Sequence, residues 1–161
     1  MKNKKLLVIG LLLISLALLP VTSALALEPT IETFHDEGTQ SLDCGSFVAS
    51  GSYQQDVRVT TFYDSTGNPV QDSVFIQFTG SLTNPLNGQT LTDTDSFTVF
   101  FDIQEGTVTG VGLTFHMKIP GSGVAVLDAG RIFVDEEGNV TLTGRQDVHY
   151  GGEEVICAAL S

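Results

Sequence analysis

Apolar and polar residues alternate in three successive runs between Val108 and Asp147, and two turn sequences separate the runs. In the first run the apolar side chains occupy every second position. They are Val111, Leu113, Phe115, Met117 and Ile119. Alternation with a period of two is typical of a β-strand that buries one face. The segment therefore predicts a meander of three antiparallel strands.

The first turn sequence is Pro120-Gly121-Ser122-Gly123, which supplies one fixed φ and two residues that tolerate a positive φ. A four-residue loop at this point predicts which residues of the two strands lie opposite each other. The predicted pairs are Ile119 with Val124, Met117 with Val126, Phe115 with Asp128, and Leu113 with Gly130.

The second turn sequence is Asp135-Glu136-Glu137-Gly138-Asn139. It fits a type I turn followed by a left-handed glycine, and Asp64 to Asn68 repeats the same pattern earlier in the chain. The predicted pairs across the second turn are Val134 with Val140, Ile132 with Leu142, Gly130 with Gly144, Asp128 with Gln146, and Val126 with Val148.

Both hairpins place Asp128 opposite Gln146 on a face that is otherwise apolar and that includes Phe115. Gly130 and Gly144 are expected to leave a gap beside them. A buried carboxylate needs a compensating partner, and three interpretations stay open. Asp128 accepts hydrogen bonds from Gln146 or from loop amides and fixes the strand register; or these residues form the polar end of an apolar ligand cavity; or Asp128 is a general acid or base.

Further strand-like runs with turn signals between them extend from Cys44 to the end of the chain. They are Phe47 to Tyr53, Val57 to Tyr63, Val74 to Leu82, Phe97 to Phe101, and Glu154 to Ala159 as the last strand. No segment has a sustained helical period. These runs predict an all-β fold, an antiparallel up-and-down barrel of seven to eight strands, with a two-sheet β-sandwich as the alternative.

Residues 1–26 are predicted to be a secretory signal peptide, with three lysines, an apolar run and the small-residue cleavage site Ala24-Leu25-Ala26. Residues 27–43 are expected to form a polar N-terminal arm, and residues 44–161 a single β-domain. Export exposes the chain to an oxidising environment, so Cys44 and Cys157 are expected to form a disulfide that ties the first strand to the last. The predicted location is secreted or extracytoplasmic.

After cleavage, four basic residues would remain against nineteen acidic ones. This balance argues against nucleic acid and anionic lipid as partners, because phosphate binding needs a basic surface. We expect no membrane insertion after cleavage. The acidic clusters Asp93-Thr94-Asp95 and Asp135-Glu136-Glu137 lack the spacing of a known calcium loop, so no metal site and no cofactor is expected.

The sequence contains no G-x-S-x-G nucleophile motif, and His116 lies on the polar face of its predicted strand. We therefore expect a non-catalytic exported β-domain that binds a small apolar ligand in its interior. The alternative is an isomerase- or cyclase-like enzyme in a small barrel, with Asp128 as the acid or base. The candidate ligand-binding residues are Asp128, Gln146, Gly130, Gly144 and Phe115.

The segment Leu127-Asp128-Ala129-Gly130-Arg131, followed by the Asp135 to Asn139 turn, resembles a group of small exported bacterial β-proteins of unassigned activity. Gly112 to Phe115 and Ile119 to Gly123 add to the likeness, which covers roughly Cys44 to the C-terminus. The resemblance implies export and an antiparallel β-fold. It implies no catalytic residues.

Overall fold

A computed structural model describes residues 27–161, and the predicted signal peptide at 1–26 lies outside the described residues. Seven β-strands make up most of the described range. They are β1 (Thr30–Asp43), β2 (Val48–Tyr63), β3 (Pro69–Thr83), β4 (Thr90–Asp102), β5 (Thr107–Ile119), β6 (Gly123–Val134) and β7 (Val140–Gln146). Two short helices, α1 (Asp147–Gly151) and α2 (Glu154–Leu160), follow the last strand.

The seven strands form one antiparallel sheet in which the spatial order follows the chain order. The predicted all-β fold is therefore confirmed. Within residues 27–161, β1 and β7 are the two edges and do not pair, so the sheet is open and a closed barrel is not confirmed. The described strands lie in one sheet, whereas the alternative sandwich needs two.

The two turns with the sequence pattern Asp-x-x-Gly-Asn have the same geometry. In each, the glycine has a positive φ, 91° at Gly67 and 84° at Gly138. In the second turn the Gly138 amide donates to the Asp135 carbonyl at 3.0 Å, and the Asp135 amide donates to the Asn139 carbonyl at 3.1 Å. The Asp135 carboxylate also accepts the Asn139 amide at 2.7 Å. The prediction of this turn type is confirmed.

The register across the second turn agrees with the prediction at four pairs, from Val134 with Val140 to Asp128 with Gln146. The fifth predicted pair is wrong, because Val148 lies in α1. Across the first turn, the pairs of Met117 with Val126 and Phe115 with Asp128 are confirmed. Leu113 does not pair with Gly130, and Ile119 does not pair with Val124. Their partners are Ala129 and Gly123.

The changed partner of Leu113 arises from a β-bulge in β5, where Thr114 is inserted between two paired residues, and that of Ile119 from a second shift between Met117 and Lys118, where Ala125 of β6 has no partner on β5. An extra residue reverses the alternation, so β5 presents different faces before and after the bulge. Gly110 and Gly112 share a face with Phe97 and Gly130, whereas Val111 pairs with Arg131 on the opposite face. The predicted apolar face of β5 is therefore wrong for Val111 and Leu113.

Two further segments differ from the sequence prediction. Glu154–Leu160, predicted as the last strand, is the helix α2. Its buried residues are Ile156 and Leu160, which lie four positions apart and so share one face of a helix. Residues 27–43 are polar as expected, but most of them form β1, which pairs with β2 along its whole length.

The hydrophobic core lies between one end of the sheet and the two helices. Its buried residues are Ala49, Leu82, Leu91, Met117, Val126, Ile156 and Leu160. The Leu160 carbonyl accepts hydrogen bonds from the Asn84 and Asn87 side chains in the β3–β4 turn, at 3.0 and 3.1 Å. The C-terminal segment thus runs from the β7 edge across the end of the sheet. We call the face that it covers the inner face.

Cys44 and Cys157 form the predicted disulfide, with their Cα atoms 5.5 Å apart. It joins the residue after β1 to α2 rather than to a last strand. Since α1 and α2 follow β7, the disulfide connects the two edges of the open sheet through the helices.

No helix within residues 27–161 has the length and apolar character needed to span a membrane.

Three glycines lie side by side on the inner face of β5, β6 and β7. Gly112 pairs with Gly130, and Gly130 pairs with Gly144. Their φ angles are 126°, 141° and 99°, which side-chain-bearing residues rarely adopt. A Cβ at Gly130 would collide with the Thr143 carbonyl oxygen, and one at Gly144 with the Ala129 carbonyl oxygen. Close approach of the neighbouring backbone therefore requires glycine at both positions, and the gap beside Asp128 and Gln146 stays a prediction.

The glycine row gives a direct test of the fold. Gly130→Ala is expected to lower the free energy of unfolding by roughly 2 kcal/mol or more, through backbone strain and the clash with β7. The matched control is Gly110→Ala on β5, where the nearest atom to a Cβ is Ile132 Cβ at 3.8 Å. This control should stay within about 0.5 kcal/mol of the wild type. Urea unfolding measures both, and equal stabilities would contradict the assigned register.

Candidate functional site

The inner face carries a cavity of about 230 Å³ beside the core. Residues from β1, β2, β3, β4 and β5 line it. Neighbouring strands lie roughly 4.8 Å apart in a sheet, so a flat sheet could not bring five successive strands around a cavity of this size. The sheet therefore curls around the cavity, although its edges do not pair.

Most of the cavity wall is apolar and aromatic. The apolar side chains are Ile76, Phe78, Phe97, Phe115 and Met117. The polar side chains are Gln40, Gln55, Asp93, Asp95 and Thr114. Of the ligand-binding residues predicted from the sequence, Phe115 lines this cavity, and Asp128, Gln146, Gly130 and Gly144 do not. A pocket with an apolar wall and a few converging polar groups is the usual form of a small-molecule site.

Asp93 and Asp95 are the most unusual residues in the wall, because they are 3% and 5% exposed. They lie at alternate positions of β4 between Leu91 and Phe97, so all four side chains are on the inner face. Sequence reasoning missed them because it began this strand at Phe97 and interpreted Asp93-Thr94-Asp95 as a surface cluster. The signal was the continuation of the same alternation backwards from Phe97.

The bulge in β5 supplies a hydrogen bond to this pair of carboxyl groups. Around the bulge the β4–β5 pairing is interrupted between Asp93 and Ser96. The His116 backbone N–H, which lies in this interruption, donates to Asp93 Oδ1 at 3.0 Å. The Asp93 and Asp95 carboxyl groups also act on each other, and this interaction raises the pKa of Asp95 and lowers that of Asp93. Asp95 Oδ1 is buried and has no hydrogen-bond partner within the described part of the chain.

Burial, as the largest cause, together with the negative charges of Asp93 and Asp128 raises the pKa of Asp95 to about 8. Burial also raises the pKa of Asp93, against the lowering effect of the His116 N–H and the hydrogen bond from Asp95. Two carboxyl groups in contact in an apolar setting cannot both ionise without a large cost. The pair therefore holds one proton at neutral pH.

Asp128 is fully buried, but its surroundings differ from those of Asp95. Its Oδ1 accepts the Val148 backbone N–H at 2.8 Å, and its Oδ2 accepts the His149 backbone N–H at 3.3 Å. Both amides belong to the first turn of α1, so Asp128 holds α1 against β6. This arrangement corresponds to the first sequence interpretation, in which loop amides satisfy the carboxylate.

Gln146 lies opposite Asp128 and is 3% exposed, yet it does not provide the predicted hydrogen bond. Its Nε2 donates to the Thr143 carbonyl at 3.4 Å, and its Oε1 has no partner in residues 27–161.

Within residues 27–161, His, Cys, Asp and Glu side chains form no group of three or more that could hold a metal ion.

Comparisons of the chain with protein-family models, with curated proteins and with solved structures find no match. The residues of the cavity therefore carry the functional argument alone.

The proton held by Asp95 predicts how stability depends on pH. Its pKa is about 8 in the folded protein and about 3.9 in an unfolded chain, so between these values the folded state binds more protons. Asp95 therefore lowers the free energy of unfolding as the pH rises, by up to about 1.4 kcal/mol per pH unit. Asp95→Asn, which keeps an N–H donor, is expected to gain stability relative to the wild type between about pH 5 and about pH 8.

Urea unfolding of both proteins across this pH range measures the difference. The control is Glu136→Gln, which removes an exposed carboxylate of the β6–β7 turn and should follow the wild-type curve. If Asp95→Asn also follows that curve, Asp95 is ionised in the folded protein and the pair holds no proton.

Proposed function

We propose that this chain is an exported β-domain that binds a small, predominantly apolar molecule in the cavity of its inner face. Export rests on the predicted signal peptide and agrees with a disulfide between Cys44 and Cys157. The likeness to exported bacterial β-proteins is a further reason to expect this location. Closure of the sheet into a complete barrel is not needed for the proposal.

The size of the cavity limits the ligand. A volume of about 230 Å³ corresponds to roughly seven or eight water molecules at about 30 Å³ each. This is slightly below the common range for drug-sized ligands, about 300–1,000 Å³. The part of the ligand that the cavity holds is therefore a short apolar body, which contributes about 0.8 kcal/mol for each methylene group that it buries.

The observation that carries the proposal is the pair of buried carboxyl groups, Asp93 and Asp95, in a cavity wall that is mostly apolar, with Asp95 Oδ1 unpaired among the described residues. A buried polar atom without a hydrogen bond costs about 1–3 kcal/mol. A ligand with one hydrogen-bond donor removes this cost while its apolar body contacts Phe78, Phe97 and Phe115. The site thus favours a molecule with a polar head and an apolar remainder.

The alternative is an isomerase- or cyclase-like enzyme with Asp128 as acid or base, and it has less support. Backbone amides of α1 already occupy both Asp128 oxygens. Asp128 also does not line the cavity in which a substrate would fit. Ligand binding therefore remains the preferred function.

Binding of 1-hexanol tests the proposal, with the dissociation constant measured by calorimetry or by amide chemical shifts. The alcohol fills the apolar part of the cavity and donates one hydrogen bond. From the methylene contribution, the dissociation constant is expected on the order of 0.1–1 mM. Gln55→Trp should abolish binding, because Gln55 lines the cavity and the larger ring would fill it.

Gln54→Trp is the matched control. Gln54 precedes Gln55 on β2 but is exposed and does not line the cavity. This variant should bind 1-hexanol as the wild type does. Equal binding by the Gln55→Trp variant, or no binding by the wild type, would contradict the proposed function.

A further inference from the structure

We propose that the natural ligand is a primary ammonium ion with a short alkyl or arylalkyl body, and that its ammonium group binds to Asp93 and Asp95. This inference rests on the proposed ligand-binding function and specifies the chemical class of the ligand.

The acceptors of the cavity match an ammonium group better than a hydroxyl group. An ammonium group carries three N–H donors, whereas an alcohol carries one O–H donor. Asp95 Oδ1 has no partner among the described residues, and each carboxylate oxygen can accept more than one hydrogen bond. Two adjacent carboxyl groups thus provide acceptors for all three donors of a primary ammonium ion.

Among the described residues, no lysine or arginine side chain pairs with Asp93 or Asp95. Asp128 on β6 adds negative charge, and His116 on β5 is the basic side chain that acts on Asp93. The lining residues of β1, β2 and β3 carry no charge. The four basic residues of the described range lie elsewhere: Arg58 is over Phe75, Arg131 is over Phe133, Arg145 pairs with Asp147, and Lys118 is exposed.

Three aromatic rings, those of Phe78, Phe97 and Phe115, line the space beside the carboxyl groups. The face of an aromatic ring attracts a cation within about 6 Å, and the attraction strengthens when water is excluded. Tyr53 stacks on Phe78 with ring centroids 6.0 Å apart and so holds this ring in place. Aromatic rings beside carboxylates are the combination that an alkylammonium ion requires.

Binding of the ammonium ion displaces the proton that Asp93 and Asp95 share. The carboxyl group loses this proton to the buffer, and the bound ammonium ion replaces its positive charge. The affinity for the cation should therefore rise about tenfold per pH unit up to about pH 8 and then level off. It should fall again near pH 10.4, where an amine such as that of lysine loses its own proton.

The experiment compares hexylammonium chloride with 1-hexanol by calorimetry at about pH 6, 7 and 8, in two buffers with different heats of ionisation. We expect hexylammonium to bind at least tenfold more tightly than 1-hexanol at the highest pH, with the release of about one proton at pH 6 and about half a proton at pH 8. The affinity for 1-hexanol should change little over the same range, because the alcohol does not need an ionised Asp95.

Two variants test whether hexylammonium binds at Asp93 and Asp95. Asp95→Asn should remove the pH dependence and the proton release, and should weaken hexylammonium binding at about pH 8 at least tenfold. Asp93→Asn should also weaken it, and near-ultraviolet circular dichroism checks that both variants fold. Glu136→Gln should bind hexylammonium as the wild type does, since it tests general attraction to an acidic surface.

The outcomes separate the two proposals. If 1-hexanol binds and hexylammonium binds equally or more weakly at every pH, the ligand class is wrong while the proposed function stands. If hexylammonium binds without proton release, or if Asp95→Asn binds it as tightly as the wild type, the ammonium group does not bind at this pair and the inference is overturned. If 1-hexanol does not bind, the proposed function itself fails.

Discussion

The close approach of β5, β6 and β7 along the row of Gly112, Gly130 and Gly144 is the constraint on which the rest of the structure depends. Glycine supplies the positive φ angles that bend the sheet at these positions. A single antiparallel sheet can bury an apolar face only if it curls over that face or if other elements cover it. Here the sheet curls, α1 and α2 cover one end, and the Cys44–Cys157 disulfide links the helices to the β1 edge. The space that the helices leave uncovered is the cavity.

The β-bulge at Thr114 connects the backbone to the chemistry of this cavity. It interrupts the β4–β5 ladder, so the His116 N–H is available to the Asp93 carboxylate. It also reverses the alternation of β5. Before the bulge, a glycine of β5 lies opposite Phe97, and after the bulge, Phe115 and Met117 lie in the cavity wall. One inserted residue thus places a glycine opposite Phe97 and supplies a hydrogen bond to the Asp93 carboxylate. β-Bulges are common beside functional sites for this reason.

Sequence reasoning was accurate where the cause of a structure is local. The all-β class, the Asp135 to Asn139 turn and the register of β6 with β7 follow from alternation and turn chemistry within a few residues. It failed where the cause lies in neighbouring strands. The bulge at Thr114 leaves the local alternation intact, and the helix α2 is too short to establish a period. Asp93 and Asp95 were not among the predicted site residues because the strand β4 was begun too late.

Asp95 and Asp128 show why burial alone does not identify a functional carboxylate. Both are almost fully buried on the same face of the same sheet. Asp128 accepts two backbone amides, so its negative charge is compensated by the helix that it holds. Asp95 instead lies against a second carboxyl group and three aromatic rings, and one of its oxygens has no partner in the described range. The first arrangement is complete within the protein, whereas the second leaves an acceptor without a partner. This difference supports a stabilising role for Asp128 and is the reason why the proposed ligand is placed at Asp95.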